Sequence, residues 1–275
     1  MKRLLTISAL ALLALAGCTS SNNTNGEEAT TITVGLECDY APFNWSQIEE
    51  SDTAYAIDSN ITYCDGYDIA IADAIADGLG LELIVKQISW EGLEPALNSN
   101  EIDMIVAGMT DTEERRQVVS FSDPYYASDM VLIVRNDSEY VNATSLTDFA
   151  GAKVVAQRGT FHDDLIDQID GVIHQTPLAS FPLLANSVVS LEADAMVSER
   201  PVAISIVASN PQLAIVNFAD NQGFETNFED TTVSVAVRKS DTELLNSINE
   251  ILATISQETR TQWMEAALAR QPEGE

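Results

Sequence analysis

Residues 106–126 read Val-Ala-Gly-Met-Thr-Asp-Thr-Glu-Glu-Arg-Arg-Gln-Val-Val-Ser-Phe-Ser-Asp-Pro-Tyr-Tyr. The residue types in this stretch can grip a small carboxylate. An apolar strand over 103–107 runs into a Gly108-Met109-Thr110 turn. A helix is predicted from Thr112, with Glu113 and Glu114 in its electropositive first turn and Arg115 close behind. Turn N–H groups, the Thr110 hydroxyl and the Arg115 guanidinium then gather at one point. Arginine offers a planar fork that holds a carboxylate with two bonds, and the turn offers preset donors. An ordinary strand-turn-helix is the plainer alternative.

The surrounding pattern says what must position these groups. A strand over 31–36 comes first. Residues 67–80 form a helix with Ile71, Ile75 and Leu79 on one face and Asp73 and Asp77 on the other, and Gly80 stops it. A strand at 81–85, a short helix at 92–98 and the 103–107 strand follow. After Tyr126 the alternation restarts, with strands at 130–135 and 153–157 and a helix start at 145–148. Helices at 162–168 and 181–191 come next, then a strand at 194–197, a helix after Pro201, a strand at 233–238 and a helix at 242–255. Strands alternating with helices predict an α/β fold with mostly parallel sheets. Ligands in such sheets sit beyond the carboxyl ends of the strands, where the Gly-Met-Thr turn lies.

Composition narrows the function classes. The chain of 275 residues has 43 acidic and 13 basic residues, a formal charge of −30. That excludes nucleic acid, which needs a basic footprint, and disfavours anionic lipid heads. Lys2 and Arg3 precede an apolar run over 4–17 that is too short to span a bilayer and has the layout of an export signal. Leu15-Ala-Gly-Cys18 matches a bacterial lipobox, with Cys18 the lipidated residue; an ordinary signal with a chance cysteine is the alternative. Removing 1–17 takes away two basic residues and no acid, leaving −32. Residues 18–30, rich in Ser, Asn and Thr, read as a lipidated cysteine and a flexible tether. Cys38 and Cys64 then either bridge or remain as two buried thiols. His162 and His174 have no ligand-spaced partners, so no metal site is predicted.

The Gly-x-Thr-x-Thr-x-Glu-Arg turn followed by Phe-Ser-Asp-Pro-Tyr-Tyr resembles the solute-binding proteins of polar-amino-acid ABC transporters. The likeness covers residues 31–271. It implies a two-lobed type II periplasmic-binding-protein fold of the Venus-flytrap kind, whose chain crosses twice between lobes. Lobe 1 would take 31–126 plus 232–275, lobe 2 would take 131–226, and the hinge strands would lie at 127–131 and 227–232. The pattern of elements alone does not reveal the return crossing. Hinge closure around a ligand follows from such a form.

Carried onto this sequence, the resemblance sets Arg115 against the ligand α-carboxylate, helped by Thr110 and the Gly108 region. Gln157-Arg-Gly-Thr160-Phe161 resembles the second lobe's Gly-Thr turn, which also reaches the carboxylate. Glu199 would hold the α-ammonium. Most bacterial relatives carry Asp there, and a surface Glu capping the next helix is the alternative. Asp194 looks like a structural acid of the same motif. Tyr40, in Asp39-Tyr-Ala-Pro-Phe43, and Tyr67, in Gly66-Tyr-Asp68, match the aromatic pair that sandwiches the ligand, excluding water and strengthening charged contacts. Glu37 and Gln157 would face the ligand side chain. An acid plus an amide favours a basic or polar ligand over glutamate. Trp45, Trp90 and Ser198 are not placed by sequence.

The function implied is a lipid-anchored, exported, monomeric receptor. It would capture a polar amino acid and deliver it to a permease driven by separate ATPase subunits, with no catalysis and no cofactor. No Gly-x-Ser-x-Gly elbow, phosphate loop or zinc pair is present in the sequence. Two alternatives stand beside it. A cyclohexadienyl dehydratase-like enzyme on the same fold would need Glu199 or Glu37 as general acid. A sensing subunit would need a separate signalling partner, since the sequence to Glu275 shows no such segment.

Overall fold

The computed structural model describes residues 29–272. The leader, Cys18 and all but the last two residues of the tether lie outside the described residues, as do 273–275. Lobe 1 is built on a five-stranded sheet. Its order is Glu82–Gln87, Thr31–Leu36, Met104–Ile105, Ala236–Arg238, Val119–Phe121. The first three strands are parallel, and Ala236–Arg238 runs antiparallel to both of its neighbours. Parallel strands covered on both faces must be apolar throughout. Accordingly Val34, Leu36, Met104 and Ile105 are fully buried.

The Tyr67–Leu79 helix covers one face through Ile71, Ala72 and Ile75. It ends where Gly80 turns left-handed (φ 70°) and returns its N–H to the last carbonyls. At its start Gly66 has φ 138°, and a Cβ there would lie 2.2 Å from the Phe43 carbonyl oxygen, so only glycine fits.

Lobe 2 carries a second five-stranded sheet, ordered Ile173–His174, Lys153–Val155, Ala195–Glu199, Met130–Arg135, Leu213–Ile215. Phe149, Leu165, Ile166 and Val197 form its separate apolar cluster. Between the two sheets, Tyr126–Ala127 pairs antiparallel with Thr232–Val233, so the chain leaves lobe 1 and returns to it side by side. The two-lobed α/β fold with two crossings is therefore present.

Several local expectations change. The helix predicted from Thr112 is only one 3-10 turn, Arg115–Gln117. Glu113, Glu114, Arg116, Gln117 and Val118 are all exposed, so a longer helix would have no apolar stripe to bury. The predicted 233–238 strand is divided: Thr232–Val233 belongs to the hinge pair and Ala236–Arg238 to the lobe 1 sheet. A four-stranded antiparallel sheet between Asp39 and Asp65 and a final helix, Gln257–Arg270, are additional to the sequence reading. That helix buries little more than Met264 and Ala267, which explains its weak apolar signal.

Cys38 and Cys64 are bridged, with Cα atoms 5.7 Å apart. The bond ties the start of the Asp39–Tyr40 strand to the Tyr63–Asp65 strand across the intervening Asn44–Gln47 strand. Among the described residues no helix is long and apolar enough to cross a membrane.

Candidate ligand-binding site

The carboxyl ends of the lobe 1 strands face the lobe 2 Gly-Thr turn across a narrow cleft. Between them lies a cavity of about 10 Å³, lined by Glu37, Tyr40, Trp90, Gly108, Thr110, Arg115, Gln157, Thr160, Phe161 and His162. The cleft thus gathers every expected site residue except Tyr67 and Glu199. A space of that size holds about one water. Admission of an amino acid requires the lobes to separate.

Arg115 anchors the lobe 1 side. It is 9% exposed, with its guanidinium 4.9 Å above the Trp90 ring and its Nε 3.6 Å from a Glu94 carboxylate oxygen. One terminal nitrogen donates to the Thr110 carbonyl at 2.8 Å. The other crosses the cleft to the Gly159 carbonyl at 2.9 Å. Gly108 is left-handed (φ 57°), and a Cβ there would sit 2.8 Å from the Tyr40 ring. Its N–H donates to the Tyr125 hydroxyl at 3.0 Å, and that hydroxyl donates to buried Asp68 at 2.7 Å. The turn is thereby fixed from behind.

At the far end, Gln157 donates to both oxygens of Glu37, at 3.0 and 3.3 Å. Burial and the neighbouring Asp39 charge push the Glu37 carboxyl up to about 8. Thr160 donates to the Gln157 carbonyl at 2.7 Å and shapes the turn that leads into the Phe161–Leu165 helix.

Glu199, at the end of the Ala195–Glu199 strand, is 1% exposed. It accepts hydrogen bonds from the Tyr40 hydroxyl at 2.5 Å and the Ser128 hydroxyl at 3.1 Å. Burial pushes its carboxyl up to about 7, against the pull of these two bonds. It is a buried carboxyl joined across the cleft to Tyr40, not a surface helix cap.

Tyr67 stands elsewhere. Its side chain is wholly buried behind the site, donating to the Tyr125 carbonyl and packed against Phe43, Tyr125 and Tyr126. The rings near the cavity are instead Tyr40, Phe161 and Trp90, with Phe181 of lobe 2 meeting Tyr40 at a centroid distance of 4.5 Å. Trp90 also donates across the cleft to Gly159 at 3.0 Å. Trp45 lies under Arg270, and Ser198 bonds the Glu199 carbonyl.

Sequence reasoning missed His162 and Phe181. His162 directly follows the Gly-Thr-Phe segment on the first turn of a helix that opens at the site, and that placement was the available signal. Phe181 reads in sequence only as an apolar helix residue.

The profile of the bacterial extracellular solute-binding proteins, family 3, matches residues 32–266. The chain belongs to this family. It is 31% identical over 216 residues to a probable histidine-binding protein of Campylobacter jejuni, covering 76% of this chain and 77% of that one. It is 29% identical to the arginine-binding extracellular protein ArtP of Bacillus subtilis, covering 90% of each. Among solved structures, the amino acid ABC transporter substrate-binding protein AbpA from Streptococcus pneumoniae, bound to L-arginine, superposes with a TM-score of 0.73 at 26% identity. It covers 87% of this chain and 95% of that one. A mutant of ArgBP from T. maritima gives 0.72 at 32% identity, covering 88% and 96%.

Proposed function

We propose that this family 3 protein captures a polar L-amino acid, preferably one with a basic side chain, in the cleft between its lobes. It would then pass the ligand to an ABC permease. The carrying observation is a buried guanidinium, Arg115, on the lobe 1 side of the cleft, together with a buried carboxyl, Glu199, on the lobe 2 side, reached from lobe 1 by the Tyr40 hydroxyl. An α-amino acid has a carboxylate and an ammonium on one carbon, so it needs a cation with donors and an anion close by. Glu37 and Gln157 lie beyond as acceptors for a cationic or amide side chain. Relatives named for histidine, arginine, cystine and glutamine support the ligand class. Lobe closure about the paired 126–127 and 232–233 segments would enclose it. The lipobox supports an anchor on Cys18 at the outer face of the cell membrane.

One observation favours a second reading. Glu37 and Glu199 are both raised toward neutral pH, as general acids often are. A dehydratase of this fold would use such a group, whereas the relatives are named as binding proteins.

The deciding experiment is a thermal-shift screen of the protein from Cys18 onward against the twenty amino acids, ornithine, citrulline and prephenate. A ligand that binds the folded state raises the melting temperature. A rise with arginine, lysine, histidine or glutamine that is lost in Arg115→Ala supports the receptor. Tightest binding of glutamate would overturn the side-chain preference. Turnover of prephenate would replace the receptor by the enzyme.

A further inference from the structure

We propose that His162 is a further ligand-binding residue: its neutral imidazole accepts an N–H from the ammonium of a bound α-amino acid and shares that ammonium with Glu199. The inference rests on the amino-acid reading above.

His162 is 6% exposed on the Phe161–Leu165 helix and lines the cavity. Neither ring nitrogen has a hydrogen-bond partner among the described residues. An imidazole buried in this way is costly, and phenylalanine or leucine would fill the space without orphaned polar atoms. A donor arriving from the cleft would partner the bare nitrogen of this ring, a role that phenylalanine or leucine could not fill. The ring is held edge-on to Phe181, with centroids 5.7 Å apart.

The position selects an ammonium. The Nε2 atom lies 3.8 Å from Glu199 Oε1. One nitrogen atom can stand at about 2.9 Å from both acceptors, with an angle of roughly 80° between them, and give an N–H to each. The Tyr40 hydroxyl now donates to that same Glu199 oxygen. The ligand ammonium would take over this role.

The charged and titratable groups around the ring agree with a neutral acceptor. Arg115, Glu37 and Tyr40 line the cavity with it, and Glu199 faces Nε2. Burial and the Arg115 charge hold the imidazole down at about 4. A neutral ring keeps one bare nitrogen as acceptor, whereas an imidazolium would repel the ammonium.

The chain contains only two histidines, so ¹⁵N-histidine labelling gives a two-residue spectrum. His174, bonded to Asp163 and Asp167 on the lobe 2 surface, serves as internal control. The probe is L-arginine, then each other amino acid that raises the melting temperature. At pH 7 His162 should show the neutral pattern. On saturation its bare nitrogen should move to the position of a hydrogen-bonded acceptor while His174 stays unchanged.

His162→Phe should weaken binding on the order of 10- to 100-fold without lowering the melting temperature, and His162→Gln should recover most of the affinity. Saturation that leaves both His162 nitrogens unmoved, or unchanged affinity in His162→Phe, overturns the inference alone. If no amino acid raises the melting temperature, the amino-acid reading falls, and this inference falls with it.

Discussion

The Tyr40 hydroxyl and the Glu199 carboxylate lie 159 residues apart in sequence and meet across the cleft at 2.5 Å. One comes from lobe 1 and the other from lobe 2, so the bond joins the two halves where the ligand ammonium is proposed to bind. A hydroxyl donor here satisfies a carboxylate that would otherwise be buried without sufficient partners.

Tyr40→Phe separates the two roles of this residue. The ring remains to cover the ligand, while Glu199 keeps only Ser128 as hydroxyl donor. We expect a loss of about 1–3 kcal/mol in folding stability without ligand, and arginine affinity within a few-fold of the parent. Tyr40→Ala, lacking the ring, should lose affinity at least about tenfold. Calorimetric titration beside denaturant melts would check this. Equal affinity losses in both variants would place the hydroxyl, not the ring, in ligand recognition.

Proton release should report the side-chain environment. At pH 7 a carboxyl raised to about 8 is mostly protonated. A cationic ligand side chain set against Glu37 favours its ionised form and expels that proton. Arginine binding should therefore release more protons than glutamine binding, up to about one more. Glu37→Gln should remove the difference. Titrations in buffers of different ionisation heat measure this directly, and equal release for both ligands would take Glu37 away from the ligand side chain.

The pH dependence of stability has two opposing parts. Glu37 (about 8), Glu199 (about 7) and Asp68 (about 7) are all raised, chiefly by burial. Each holds its proton more tightly when folded, so its contribution is full below the unfolded carboxyl range and lost as pH rises through 7–8. His162, lowered from 6.5 to about 4, contributes above 6.5 and loses that contribution as pH falls toward 4. The melting temperature should fall between pH 6.5 and 8.5, and His162→Gln should be less sensitive to acid than the parent. A flat profile from pH 6.5 to 8.5 would contradict the raised carboxyls.

Outside Arg115 the cleft opens into a larger hollow of about 890 Å³. Glu94, Asp111, Glu113, Glu114, Asp163, Asp164, Glu229 and Asp230 line it, with Arg115 and Arg116 as the cations. Such a wall raises the encounter rate of cationic solutes. Neutralising Asp164, Glu229 and Asp230 together should slow arginine association roughly 3- to 10-fold at low salt, with little change in dissociation. The difference should close near 0.5 M salt. Stopped-flow fluorescence would measure both rates, and an unchanged association rate would assign the acids to solubility alone.

The fold class was legible because strand 31–36 alternates, residues 130–135 form a short continuous apolar run, and Ile71 and Ile75 mark one face of a helix. The short strands between Asp39 and Asp65 were not, since a two-residue strand has no periodicity to read. In the site, Gly108, Thr110, Arg115, Gln157 and Thr160 cluster in two short segments and could be named together. Tyr67 is set beside the ligand only by the resemblance, whereas Phe43, Tyr125 and Tyr126, distant from it in sequence, enclose its ring behind the site. His162 was hidden for a similar reason: Phe181, Glu199 and Arg115 are distant in sequence and define its surroundings only in three dimensions.

The Cys38–Cys64 bridge closes a loop of 26 residues, worth roughly 3–4 kcal/mol as a constraint on the unfolded chain. Cys38 lies directly after Glu37 and two residues before Tyr40, so two cleft-lining groups hang from this crosslink. Such bonds persist where thiols oxidise and are rare in the reducing cytosol. A newly made chain that still holds both thiols lacks the fastening of its own recognition segment. For an exported receptor this would tie competence to hold a solute to compartment, since the segment would be fastened by oxidation only outside the reducing cytosol and its amino-acid pool.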